Sequence, residues 1–145
     1  MLCAILCMFT VHGLSTNIGD PTGYSDFFKS NLDEFCDKPI FFSNTIPKWL
    51  KGILIRNGAG RFELGKRSFK HAFDAFGKLH GFKFYGNGSA SMSTKFLYSE
   101  FYNKSLAQNS ISPYLMFDPV EPPFEWMEIL EAFQHGMDNT NVNVY

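Results

Sequence analysis

The residues able to do chemistry here are few: four histidines, three cysteines and a Gly-Ala-Gly turn. His12, His71, His80 and His135 could offer neutral nitrogen ligands to a transition metal. Their surroundings favour a different use. His71 alternates with Phe69 and Phe73, and a histidine among alternating aromatics is more often a hydrogen-bonded core group than a ligand. His135 closes a helical pattern, and His12 stands just after the apolar start of the chain. Cys3 and Cys7 are spaced like a loose metal pair, but no second pair exists, so zinc is a poor fit. Cys36 is then a lone thiol, expected to serve packing. Gly58-Ala59-Gly60 cannot cradle a phosphate, because Arg61-Phe62-Glu63 opens no helix and position 63 is acidic. Those glycines are expected to supply positive φ in a turn. Two N-glycosylation acceptors, Asn87-Gly88-Ser89 and Asn103-Lys104-Ser105, matter only in a secreted chain.

The elements that must position these residues are mostly strands. A chain of 145 residues, 45% hydrophobic and 17% aromatic with 17 phenylalanines, can bury a modest β-rich core. A formal charge of −1 offers no basic field for nucleic acid or an acidic membrane, so the expected partner is small and apolar. Residues 15–22 form a polar linker by composition. Phe28, Leu32 and Phe35 fall at i, i+4 and i+7, predicting a short helix that Pro39 ends. Strand-like Ile40-Phe41-Phe42 comes next. Residues 52–57 predict a buried strand ended by the glycines, Phe69, His71 and Phe73 predict another, and an antiparallel meander is expected from Ile53 to Phe101. Its clearest turn is Gly86-Asn87-Gly88, a hairpin tip between Leu79–Tyr85 and Ser89–Tyr98.

Beyond Tyr102 the chain turns polar. Pro122-Pro123 then introduce a helix predicted over Phe124–Gln134, with Trp126, Ile129, Leu130 and Phe133 on one face and Glu125, Glu128 and Glu131 opposite. His135 and Gly136 complete its boundaries. The alternation of Asn139–Tyr145 predicts a strand on which the chain stops, an expectation of truncation. Residues 1–13 are either a secretory signal peptide cleaved near Gly13 or a leader unrelated to the rest of the chain. The run is too short to span a bilayer and no Lys or Arg precedes it.

Four blocks, Pro47-Lys-Trp-Leu-Lys-Gly, Leu54-Ile-Arg-Asn-Gly-Ala-Gly-Arg-Phe-Glu, His71-Ala-Phe-Asp and Leu79-His-Gly-Phe-Lys-Phe, occur in one order and spacing. Together they resemble the N-terminal signature of the carotenoid cleavage oxygenases, which include the retinoid isomerohydrolase and the carotene oxygenases of animals. The resemblance runs over residues 24–145 and is densest between Trp49 and Phe101. It implies an all-β fold, the N-terminal part of a seven-bladed β-propeller spanning residues 14–145, with one amphipathic helix near the C-terminus. It further implies Fe(2+) on the propeller axis, held by four histidines, and a carotenoid or retinoid substrate in an apolar tunnel. In that family the blocks matching His71 and His80 are structural, and the first iron histidine lies beyond the segment matching Asn139–Tyr145. No catalytic, cofactor-binding or metal residue is therefore assigned to this chain, and no iron is expected on it alone.

The chain departs from the family pattern at Ala59, which replaces a proline, at Ala75, which replaces a glycine, and at Lys95, which replaces an arginine. Ala75 would be strained if its position requires positive φ. Arg56 and Asp74 are retained and are expected to pair as a buried staple. The resulting expectation is a piece of an iron(II)-dependent carotenoid dioxygenase, inactive alone. The alternative is a non-catalytic truncated paralogue that binds lipid or membrane. Within the enzyme class, isomerohydrolysis of retinyl esters stands beside oxidative cleavage. The predicted helix is assigned a peripheral membrane contact through Trp126, Ile129, Leu130 and Phe133, against ordinary core packing as the plainer use of such a face. Localisation depends on the leader: cytoplasmic and membrane-peripheral, or secretory.

Overall fold

The computed structural model describes residues 26–133, 138–139 and 143–144. The leader, with His12, Cys3 and Cys7, lies outside the described residues, as do His135 and Gly136. Strand periodicity produces β1 (Phe35–Ile40), β2 (Lys51–Arg61), β3 (Glu63–Leu64), β4 (Arg67–Ser68), β5 (Phe76–Tyr85), β6 (Ala90–Phe96) and β7 (Asn143–Val144). Five of them form an antiparallel sheet in the order β1-β6-β5-β2-β7, and β3 pairs with β4 as a small separate hairpin. Two helices lie between β6 and β7, α1 (Glu100–Gln108) and α2 (Trp126–Ala132). The fold is strand-dominated as expected, but carries two helices between β6 and β7 where one was predicted.

The hairpin tip lies where the sequence put it. β5 and β6 pair out to Phe84 and Ala90, and Gly86 and Gly88 take φ of 76° and 91°, which only glycine adopts without strain. The expected meander ends earlier, at Phe96. Ser99 caps α1 by accepting a hydrogen bond from the Tyr102 N–H, and Asn109 closes it in the left-handed region. The chain beyond Tyr102 reads as polar in the sequence, which did not predict this helix.

Several local expectations are corrected. Phe35 begins a strand rather than closing a helix, and only residues 26 and 27 are helical there. Phe28 alone of the predicted face reaches the core, its ring 5.2 Å from that of Phe62, while Leu32 is exposed. The segment between them is claimed by the sheet: Asn31 N–H donates to Gly60 O, and the Glu34 carboxylate accepts from Phe96 N–H. Pro39 sits inside β1, tolerated because β1 is an edge strand. Gly58-Ala59-Gly60 is not a turn either. β2 runs straight through it with no positive φ, and bulges only between Ala59 and Arg61.

The aromatic residues of α1 close the core over one end of the sheet. Phe76 lies 4.7 Å from Tyr102 between ring centroids, and Phe101 stacks on Tyr114 at 4.2 Å. At the opposite end the sheet is open. Among the described residues, β7 pairs only with Arg56 and Asn57 of β2, leaving Lys51–Ile55 with β5 as the sole neighbour.

Candidate functional site

Arg56 and Asp74, expected as a pair, are used separately. Asp74 ends a 3-10 helix over Ala72–Asp74, where an extended strand was predicted. Its buried carboxylate accepts from the Phe117 N–H at 2.9 and 3.0 Å and from the Asp118 N–H at 3.0 Å. It therefore clamps the loop after α1 against the sheet, in the manner of a carboxylate satisfied by backbone donors. Ala75 comes next with φ of −55°, so the alanine at this position carries no left-handed strain. His71 caps the 3-10 helix, its Nδ1 accepting from the Phe73 N–H at 3.2 Å, and its ring lies 5.0 Å from Phe117. This nitrogen is occupied by a backbone proton.

His80 stands in the middle of β5, opposite Arg56 on β2 and Thr94 on β6. Burial first, then the positive charges of Lys78 and Arg56, pull its pKa below 6.5. A neutral imidazole is the ligand form, yet its neighbours are cations rather than further ligands. Lys78 was not singled out by the sequence, where it looks like one more polar residue of an alternating strand. It has no exposed surface; its Nζ donates to Asn31 O at 2.6 Å and Asn31 Oδ1 at 3.1 Å, and lies 4.8 Å from the Phe96 ring centroid. Burial lowers its pKa against the opposing pull of Asp33 and Glu34.

The most distinctive surface is α2. Its seven residues begin at a capping box in which Glu125 N–H donates to the Glu128 carboxylate. The predicted span is shortened at both ends, and the packing is the reverse of an ordinary amphipathic helix. Glu128 makes a two-pronged contact with Arg67, at 3.0 and 2.7 Å, and Glu131 pairs with Lys104. Phe124 lies under the Arg67 guanidinium at 4.4 Å, and Ala132 is buried. Trp126 and Phe133, each 69% exposed, project outward with Met127, Ile129 and Leu130. Ordinary core packing by this face is thus excluded among the described residues. No helix there is long and apolar enough to cross a membrane. Cys36, expected to pack, is exposed on β1.

Iron, which the family resemblance implies, does not fit the described residues. Among the described residues no three His, Cys, Asp or Glu side chains stand close enough to hold a metal. Of the two histidines described, one is engaged by a backbone N–H and the other is flanked by two cations.

The family described as retinal pigment epithelial membrane protein, RPE65, matches residues 28–145. The mitochondrial carotenoid-cleaving dioxygenase of Pongo abelii is 37% identical over 106 residues, covering 67% of this chain and 19% of its own length. The beta,beta-carotene 15,15'-dioxygenase of Gallus gallus is 39% identical over 66 residues, covering 46% of this chain and 12% of its own. Among solved structures, the cobalt-substituted apocarotenoid oxygenase of Synechocystis superposes with a TM-score of 0.65 at 29% identity, over 74% of this chain and 22% of that one. The chain thus spans about a fifth or less of the relatives it matches. The four sequence blocks lie on the turn leading into β2, on β2 and the start of β3, on the 3-10 helix with its cap, and on β5, and the match extends through both helices to the last residue. On that extent, the chain belongs to the RPE65 family of carotenoid cleavage oxygenases.

Proposed function

We propose that this chain is part of an iron(II)-dependent dioxygenase that cleaves a double bond of a carotenoid or apocarotenoid. Its contribution is a section of a seven-bladed propeller wall, carried by residues 14–145, and an apolar helix that reaches the lipid from which an insoluble polyene must be drawn. The observation that carries the substrate class is the kinship to carotenoid-cleaving dioxygenases, joined to a helix that turns its apolar side outward. The iron would be held by histidines outside the described residues, so no step of the oxidation is routed through the residues described. The second proposal, a non-catalytic lipid-binding paralogue, draws its support from the same exposed helix and from the lack of a ligand cluster among the described residues.

The two are separated by expressing the complete gene product and the 145-residue chain side by side with ferrous iron, dioxygen and β-carotene or an apocarotenal. Aldehyde formation by the complete product, with none by this chain alone, is the expected result. A complete product that binds iron stoichiometrically but releases retinol from a retinyl ester would replace oxidative cleavage by isomerohydrolysis. One that binds no iron would leave only the lipid-binding role.

A further inference from the structure

The chain holds two Asn-Gly dipeptides in opposite structural settings, Asn57-Gly58 and Asn87-Gly88. Such a pair is chemically reactive because glycine, lacking a Cβ, lets its amide nitrogen approach the preceding carboxamide. Asn57 is held in mid-strand, paired with Leu79 on β5 and Asn143 on β7, and its Oδ1 is buried. Extended backbone with ψ near +135° turns the following nitrogen away from the side chain, and two ladders resist the rotation that would bring it round. Asn87 is exposed at the hairpin tip between two glycines of positive φ. A Cβ at Gly88 would meet nothing closer than Ile46 O at 3.5 Å, so no more distant part of the chain crowds the tip there. The Asn87 Oδ1 accepts from the Ser89 N–H at 2.9 Å and from the Ser89 hydroxyl at 2.6 Å. Two donors on one carbonyl oxygen polarise it and stabilise the negative charge it gains when a nucleophile adds to the carbon.

We propose that Asn87-Gly88 is a self-acting modification site at which the hairpin tip converts its own asparagine to an acid. The Gly88 nitrogen gives its proton to solvent base and bonds to the Asn87 carboxamide carbon, placing the charge on Oδ1 between the Ser89 donors. Collapse breaks the bond to Nδ2, which leaves as ammonia with a proton from water, and a cyclic imide remains. Water then opens the imide at either carbonyl, giving an aspartyl or an isoaspartyl residue; nothing is oxidised or reduced. The product adds a negative charge at the exposed tip, and the isoaspartyl form inserts one extra main-chain carbon into the turn that sets the β5–β6 register.

The test is peptide mapping by mass spectrometry of the 145-residue chain, held in mildly alkaline buffer at body temperature, native and in urea. The native chain should convert Asn87 faster than Asn57 by about tenfold or more, and urea should bring the two rates together. Ser89→Ala should slow conversion in the native chain and leave the rate in urea unchanged. An Asn87 that stays intact, or converts no faster than Asn57 in the folded chain, overturns the proposal. A native rate indifferent to Ser89→Ala overturns the activation by Ser89.

Discussion

Gly60 and Lys78 form one arrangement. A Cβ built on Gly60 would lie 2.4 Å from the Lys78 Cβ and 3.0 Å from a ring atom of Phe96, so glycine is required by close approach rather than by φ. Gly58, one pleat away on the same strand, has nothing within 4 Å. Gly60→Ala is therefore expected to lower stability by about 1–3 kcal/mol through overpacking, while Gly58→Ala should be neutral or stabilising by about 0.5 kcal/mol through the unfolded chain. Urea denaturation of the two variants measures the contrast, and equal effects would dissolve the pairing of Gly60 with Lys78. His80 supplies a titration. Its folded pKa lies below 6.5, so the unfolded chain takes up the proton first as pH falls. The stability it contributes is complete above that value and declines with acid until the folded form protonates too. Proton NMR of the imidazole should show Arg56→Gln moving the pKa upward, since one of the cations that depress it is gone. No upward movement would mean that burial and Lys78 set it without Arg56. None of this was legible in the sequence, because alternation assigns a lysine on a strand to solvent and cannot say which strand end a helix will cover.

At the scale of elements, periodicity located what depended on local chemistry and failed where tertiary partners decided. The β5–β6 hairpin was legible because Gly-Asn-Gly has few alternatives between two alternating runs. The stretch from His71 to Asp74 was not, because its extended alternation competes with three backbone N–H donors that settle on Asp74 and His71. α2 was legible as a helix and misleading as a packing surface. Its apolar stripe was readable, but the sequence did not show that Arg67 and Lys104, 61 and 27 residues away from their partners, would draw the glutamate side inward. This inversion has a pH signature. The Arg67 guanidinium, against some opposing desolvation, holds the Glu128 carboxyl below its ordinary 4.5. The pair therefore contributes stability that is fully present above about 4.5 and lost as pH falls through the lowered folded value. Wild type should melt at higher temperature than Glu128→Gln near neutrality, and the two curves should converge in acid. A melting difference that stays constant across that range would show that the contact is not an ion pair.

On the scale of the whole molecule, the sheet is finished at one end and open at the other. The covered end holds Phe76, Phe96 and Tyr102, whereas Ile53 is 64% exposed on the half of β2 that, among the described residues, has only β5 beside it. Unpaired N–H and C=O groups along such an edge are open to another strand. The outward face of α2 has two candidate covers, the remainder of the complete protein and a lipid surface. The charge on the helix helps to choose a lipid class. Glu125, Glu128 and Glu131 give α2 no attraction to anionic headgroups, so any membrane contact must be driven by inserting Trp126, Met127, Ile129, Leu130 and Phe133. Burying side chains of this size stabilises by about 1.5–3 kcal/mol each, so two replacements should be felt. The complete gene product is expected to sediment with neutral phosphatidylcholine vesicles, and Trp126→Glu with Phe133→Glu to leave it largely in the supernatant. Because both side chains are already exposed, the double variant should keep the wild-type melting temperature if lipid is the cover. A loss of stability with unchanged sedimentation would instead place the face against the rest of the protein, and the membrane role of α2 would be wrong.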